Sequence, residues 1–420
     1  MSSPVLIDYG CHSFTHRLAT YLSDNGHGMR YFANGSLESP NLGSLPSWQE
    51  AHPQVVRPIV CGKPYGKLSL RKRLAGELDW AGECIHALEE EQPSAIIVSC
   101  VPIGAVTRIQ NWARSKNIPF IYWLQDLQGR AIHDLLGRKL GFPGRVLGSF
   151  AYLWEQQLLD RSNMVITIAA GHEKELPPSV TASGRFALLE NWANIEELPI
   201  FPVDNDWSVR QNLNQTRNIL YSGTLGLKHD LGVFTSLAEA FRERNDVRIV
   251  VVSSGQAADA LRQGAAARRL DNLIVLPFQP AADVPKVLAS AAVLIAPLDR
   301  AAGGFCVPSK VLSYLCAGRP TVIAINPANP AAAMLQSSAA GTVVEPGNSL
   351  HFIDAVAAYL DNPEHRILAG HAARMHAEAT FGLQHVVAKF LRILHSSGAP
   401  LTATGALAAN AHLAKPVAAG

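Results

Sequence analysis

Short apolar runs recur along this chain, and each is followed by a longer stretch whose apolar residues return at helical spacing. A run without polar alternation must bury both of its faces, and helices laid on both faces of a parallel sheet do this most simply. Val5 to Asp8 (VLID) is one such run. Behind it Phe14, Leu18, Tyr21 and Leu22 share a helical face that Asn25-Gly26 brings to an end. Ala95 to Cys100, Phe120 to Leu124 and Met164 to Ile168 continue the series. A second series comprises Asn218 to Ser222, Val247 to Ser253, Leu273 to Leu276, Val293 to Ala296, Thr321 to Ile325 and Thr342 to Val344. The pattern predicts an α/β chain of two doubly wound, Rossmann-like domains.

At 420 residues the chain is long enough for two domains of about 100–200 residues each. We place the first at residues 1–190, a connector at 191–206, the second domain at 207–378, a closing helix at 379–396 and a disordered Ala/Gly/Thr-rich tail at 397–420. Two such domains predict a cleft between facing sheet ends, closed by movement about the connector. The net charge of +2 gives no electrostatic case for nucleic acid. No run approaches the roughly 20 apolar residues of a membrane span, and the first residues lack a basic leader, so a cytoplasmic location is expected. Cys11, Cys61, Cys84, Cys100, Cys306 and Cys316 contain no CxxC pair, which suits reduced thiols.

The segment with most chemical content is AAGGFCVPSKVLSYLCAGRPTVIA, residues 301–324. Gly303 and Gly304 permit close approach of backbone to a ligand. Pro308 or Ser309 opens a helix that buries Val311, Leu312, Leu315 and Cys316, and Gly318 with Pro320 ends it. Free N–H groups at such a start attract phosphate, and Lys310 and Ser313 share the helix's other face. An ordinary capped helix is the competing account. A second segment, YSGTLGLKHD, places Gly223, Thr224 and Gly226 directly after a strand, with Lys228 beyond them.

The PSK and YLCAGRP of the first segment, residues 219–241, and ENWAN (Glu190 to Asn194) together resemble glycosyltransferase family 4, of the GT-B fold. The resemblance is to its colanic-acid and O-antigen branch, and it covers roughly residues 1–396. It implies a retaining, metal-independent transfer of a sugar from a nucleotide-diphosphate donor, a UDP- or GDP-sugar. No tightly bound cofactor and no metal are expected. In the resembled family a lysine at the position of Lys228 neutralises the leaving diphosphate, and Lys310 would share that task. Donor contacts would come from Gly223, Thr224, Gly226, Lys228, Ser254, Gly304, Phe305, Cys306, Val307, Pro308, Ser309, Lys310 and Ser313. Many members carry two glutamates where this chain has Phe305 and Ser313, so the sugar would rest mainly on backbone N–H groups of residues 304–308.

On the acceptor side the candidates are Gly10 and His12, in the loop after the first strand, and Asp126, after Phe120 to Leu124. Asp126 would orient or deprotonate an acceptor hydroxyl; a helix-capping aspartate is the alternative. His12 and His16 are spaced as a metal pair, but HExxH needs a glutamate where Ser13 stands. Asp204 to Asp206 (DND) follows no strand and is expected to be a turn. No GxxxxGKS or GxxxxGKT loop is present, and no GxGxxG follows a strand, which removes the main support for ATPase and dinucleotide chemistry.

The expected partners are the donor and a saccharide or lipid-linked acceptor in surface or exopolysaccharide synthesis. Lys63 to Arg73 and Gly137 to Trp154 are basic or cation-aromatic stretches. They point to peripheral contact with the inner face of a membrane, against the alternative of an exposed helix face with core aromatics. Two other readings stay open: a nucleotide-sugar epimerase of the same fold, and a catalytically degenerate nucleotide-sugar-binding partner.

Overall fold

A computed structural model describes residues 2–36, 45–61, 70–226, 229–298 and 309–399, without the side chains of Leu70 and Arg71. Lys228, Gly303 and Gly304 to Pro308 lie outside the described residues, as do most of the 397–420 tail and most of the Lys63 to Arg73 stretch. The chain divides into two compact units. One comprises Met1–Glu190 with Leu383–Gly420, the other Asn191–Gly382.

The first unit runs β1 (Val5–Asp8), α1 (Ser13–Asp24), β2 (Arg30–Asn34), α2 (Leu45–Ala51), β3 (Val56–Ile59), α3 (Leu70–Glu91) and β4 (Ile96–Ser99). It continues with α4 (Ile103–Ser115), β5 (Phe120–Leu124), α5 (Gln128–Asp160), β6 (Met164–Thr167), α6 (Pro178–Ala182) and β7 (Phe186–Leu188). The second unit contains α7 (Asp206–Arg210), β8 (Arg217–Ser222), α8 (Gly232–Ala240), β9 (Val247–Val252), α9 (Gln256–Ala267), β10 (Leu273–Leu276), α10 (Val284–Ala289) and β11 (Ala291–Pro297). There follow α11 (Ser309–Cys316), β12 (Thr321–Ala324), α12 (Pro330–Ser337), β13 (Gly341–Val344), α13 (Ser349–Asp361) and α14 (Pro363–Thr380); α15 (Leu383–Ser396) belongs to the first unit.

Among the described residues the first unit holds a parallel sheet of order β3-β2-β1-β4-β5-β6-β7, and the second one of order β10-β9-β8-β11-β12-β13. In each, the chain works outward on one side, returns to the middle and works outward on the other. The winding therefore reverses between β1 and β4 in one sheet, and between β8 and β11 in the other. At such a reversal the loops leaving two neighbouring strands diverge, and ligands of this architecture bind at the strands' carboxyl ends.

Apart from β2, the inner strands are the apolar runs of the sequence. All residues of β1, β4, β5, β6 and β11 are buried, as expected where helices cover both faces. All six strands expected in the second half are present. In the first half, β2, β3 and β7 were not expected. β3 (VRPI) carries Arg57 and Pro58, and a proline is tolerated there because the strand lies at the sheet edge.

Two local expectations meet different structures. Asp204 to Asp206 frames a helix start: the Asn205 side chain accepts from the amides of Trp207 and Ser208, and Ser208 Oγ accepts from the Asn205 amide at 2.9 Å. Asp206 then pairs with Lys286 and Arg210 at 2.8 Å each, so the segment expected to be a turn is a capped helix start, with Asp206 the first residue of α7. Residues 137–154, by contrast, contain no core aromatics. Phe142, Phe150 and Trp154 are exposed, in a long element that Gly141 breaks with φ +64°.

α15 packs by its apolar stripe of Leu383, Val386, Val387, Phe390, Ile393 and Leu394. Phe390 is fully buried, with its ring centroid 5.7 Å from that of Trp123 on β5. Burying such a ring stabilises by about 2–3 kcal/mol, enough to hold the end of the chain on the first unit.

Candidate functional site

In the second unit the loop leaving β8 is built from glycines and clamped from beneath. Gly223 has φ +138°, a value that side chains rarely adopt. Its amide still continues the ladder, donating to Val252 O at 3.0 Å. Tyr221 OH donates to Thr224 O at 2.8 Å and lies 3.1 Å from His229 Nε2, while the Gly226 amide donates to His229 Nδ1 at 3.0 Å. If Nδ1 accepts, the ring proton sits on Nε2 and is donated to the tyrosine oxygen, so the chain of donors is consistent. Ser253 Oγ accepts from the Leu225 amide at 3.3 Å, and the Ser222 amide donates to Tyr314 OH at 3.1 Å. Backbone groups of this loop are thus fixed by four buried side chains, Tyr221, His229, Ser253 and Tyr314.

Lys310, the second residue of α11, lies over this loop. A β-carbon on Gly223 would collide with its Cε and come within 3.0 Å of its Nζ. The ammonium is 5.4 Å from the Tyr221 ring centroid, a cation–π contact. The cationic group is therefore brought to the β8/β11 reversal by a glycine that leaves room for it. Ser309 is exposed at the helix start. Ser313 Oγ donates to Lys310 O at 3.0 Å, and Ser254 Oγ accepts from the Phe278 amide at 3.0 Å. Ser253, not Ser254, is the serine that touches the loop at 223–226.

The corresponding corner of the first unit is organised by a residue that sequence reading passed over. Asp8, at the end of β1, is fully buried. Its carboxylate accepts from the amides of Gly10 (2.9 Å) and His12 (2.7 Å), from Tyr31 OH (3.1 Å) and from Thr15 Oγ1. His12 Nδ1 completes the set at 3.0 Å. Burial alone would raise the Asp8 pKa, but the His12 imidazolium and the hydrogen bonds from His12 and Thr15 outweigh it and hold it below 3.8. For His12 burial works in the opposite sense and is again outweighed, so the imidazole is held well above 6.5 by Asp8 and by Cys100. Gly10 is required here too, since a β-carbon would collide with the His12 ring.

Cys100 follows β4 with φ +54°, and burial raises its thiol pKa against the pull of His12. Asp8, His12 and Cys100 each place a donor atom within 4.8 Å of the others. Both Asp8 oxygens are already occupied by the protein's own donors, so the group is a hydrogen-bonded relay rather than a cage shaped for a cation. His16 belongs elsewhere. It is stacked on Trp48, centroids 4.1 Å apart, and burial with nearby His52 and Arg17 lowers its pKa to about 4. The His12/His16 spacing makes no metal pair.

Asp126 follows β5 and is exposed. It does not cap α5, whose preceding residue is Leu127 and whose start has no side-chain cap. Its charge acts on Cys100 and on His172, a buried histidine beyond β6 whose ring nitrogens have no hydrogen-bond partner among the described residues. The first turn of α5 is served instead by Glu155, which accepts from the Gly129 amide at 3.0 Å. Burial raises the Glu155 pKa to about 7 although the amides of Gly129, Gln128 and Arg130 oppose it. Asp8, Cys100, Glu155, His172 and His229 were all missed from sequence; only the position of Asp8 and Cys100 at the ends of apolar runs hinted at them.

Residues 216–362 match a protein family described as Glycosyl transferases group 1. By fold the chain is similar to HepE (Alr3699) from Anabaena, solved with UDP and glucose. The TM-score is 0.71 at 14% identity, over 94% of this chain and 100% of that one. It is also similar to sucrose-phosphate synthase from Thermosynechococcus elongatus (TM-score 0.69, 12% identity, 94% and 98% covered). A glycosyltransferase from Rickettsia africae scores 0.65 at 12% identity, over 94% and 98% of the two chains. A search of curated proteins by sequence finds no match. The fold is GT-B, with two parallel-sheet Rossmann-like units.

Proposed function

We propose that this chain is a glycosyltransferase that moves a sugar from a nucleotide-diphosphate donor to a saccharide or lipid-linked acceptor. The observation that carries the reading is Lys310 lying across Gly223 at the β8/β11 reversal, inside the segment that matches glycosyl transferases group 1. A lysine at that place is a point charge for a diphosphate, and backbone freed by glycine can approach the same oxygens. HepE, of the same fold, has been solved with UDP and with UDP-glucose, which favours a uridine nucleotide among the possible donors.

As the glycosidic bond to the diphosphate breaks, negative charge grows on the leaving group. Lys310, with Lys228 and the backbone of residues 304–308 assigned from sequence, would stabilise that charge more in the transition state than before it. Retention of configuration, independence of divalent metal and a role in surface polysaccharide synthesis belong to this reading. On the first unit, His12 and Asp126 are assigned to the acceptor. Asp8 fixes His12 through Nδ1, with Cys100 beside the same imidazole.

The test is donor turnover. Incubated with UDP-, GDP- and dTDP-sugars and a panel of polyprenyl-linked and free oligosaccharides, the protein should release nucleoside diphosphate in step with glycosylated acceptor, with EDTA present. Epimerised donor without transfer would identify an epimerase, and binding without consumption a degenerate partner. Full turnover in both Lys228→Ala and Lys310→Ala would end the proposed mechanism.

A further inference from the structure

The long element α5 is a helical hairpin. Gly141, at φ +64° and ψ −138°, reverses the chain between residues 128–140 and 142–160. The two arms are stitched by glycine. A β-carbon on Gly144 would collide with Leu136 O, one on Gly148 with the His133 backbone, and one on Gly129 would lie 2.7 Å from Ala151 O. On the second arm Gly144, Gly148, Ala151 and Glu155 therefore face the first arm. At 100° per residue, Phe142, Val146, Leu147, Phe150, Leu153 and Trp154 fall in an arc of about 140° turned away from it. All six are exposed, Phe142 by 78% and Phe150 by 68%. The first arm adds Leu135 and Leu140 beside the turn.

Such a face is far larger than the scattered apolar residues of an ordinary surface, and marks an interaction site. The base of the hairpin is fastened: Gln156 donates to Glu175 O at 2.8 Å, and Arg130 pairs with Glu175 at 3.5 Å. Charge identifies the occupant. From Leu135 to Trp154 the sequence holds Arg138, Lys139 and Arg145 and no acidic residue, and all three cations are exposed. An apolar face flanked by Arg138, Lys139 and Arg145 is complementary to a lipid surface carrying anionic headgroups above an apolar interior. Among the described residues no helix is long and apolar enough to cross a membrane, so the fit is to the interface.

We infer that this hairpin docks the first unit on an anionic bilayer, with Leu140 and Phe142 at its turn entering the acyl boundary. Docking stands whether or not sugar transfer is the reaction, because it is read without donor. The full chain should sediment with vesicles of phosphatidylglycerol and phosphatidylcholine, and weakly with phosphatidylcholine alone. Phe142→Ser with Phe150→Ser should lower partitioning by more than about tenfold; Arg138→Glu with Arg145→Glu should abolish the preference for anionic vesicles. Unchanged melting temperature shows that the variants fold. Equal sedimentation of wild type and variants overturns the inference. So does a shift from dimer to monomer in the Phe142/Phe150 variant without lipid, which would make the face a contact between copies of the chain.

Discussion

Lys310 occupies the space in which a side chain on Gly223 would stand, its Nζ 3.0 Å from the position of that missing β-carbon. The glycine thus has two duties, to adopt φ +138° and to leave the lysine its place. Gly223→Ala breaks both. Strain from the backbone costs about 1–3 kcal/mol, and the lysine must swing off the loop. We predict a fall in melting temperature of about 2–4 °C for each kcal/mol. Affinity for UDP should also fall by about tenfold or more, followed by calorimetric titration. Wild-type affinity in this variant would separate the glycine from the donor.

Lys310 itself is half-buried, and its removal should leave stability within about 0.5 kcal/mol. Turnover should respond far more. Loss of one charge-stabilising donor typically lowers kcat by about 10²–10³-fold, and we expect that of Lys310→Ala. Lys310→Arg should restore little, because a planar fork does not lie across Gly223 as a lysine stem does. Steady-state rates against donor concentration distinguish the two effects: KM near wild type with depressed kcat supports the role, and a pure KM change contradicts it.

Much of this was legible from sequence because burial writes itself in apolar runs. β8–β13 and, in the first sheet, β1, β4, β5 and β6 are such runs. β3 was not, since an edge strand can carry Arg57 and Pro58 without penalty. Gly223 and Lys310 could be named because glycine after a strand and lysine at a helix start have local meanings. Their contact joins residues 87 apart in sequence, and no local rule supplies it. Asp8 was invisible for the same reason: an aspartate at the end of a strand looks like the strand's polar boundary, and only the fold reveals that Tyr31 and Thr15 converge on it.

That convergence makes Asp8→Asn informative. The amide keeps one oxygen acceptor but cannot serve all the donors, so buried groups lose partners at a cost on the order of 2 kcal/mol or more. The pH dependence carries a sharper signature. The folded-state pKa of His12 is raised above 6.5, so its contribution is complete below that value and is lost as pH rises through the raised one. Asp8 is depressed below 3.8, so its contribution is present above 3.8 and is lost as pH falls through the depressed value. The contribution of this pair to the urea midpoint should therefore be fullest between about pH 4 and 6.5 and fall away on the alkaline side. In Asp8→Asn the part of the decline above about pH 7, beyond the range in which Glu155 titrates, should vanish. If it persists unchanged, the Asp8–His12 pair does not cause it.

Glu155 gives a different profile in an adjoining window. Burial raises its folded-state pKa from 4.5 to about 7, so folding takes up a proton between those values. The sign is that of a raised group: stability is greatest below pH 4.5 and declines until pH passes 7. For a shift of this size the decline is on the order of 3 kcal/mol. Glu155→Gln keeps an oxygen able to accept from the Gly129 amide but has no charge to desolvate. Its stability should be flat across that interval and exceed that of the wild type at pH 8. Because the His12 loss begins only above 6.5, denaturation series at pH 4.5, 6 and 8 separate the two groups. Parallel curves for wild type and Glu155→Gln would assign the titration to another residue.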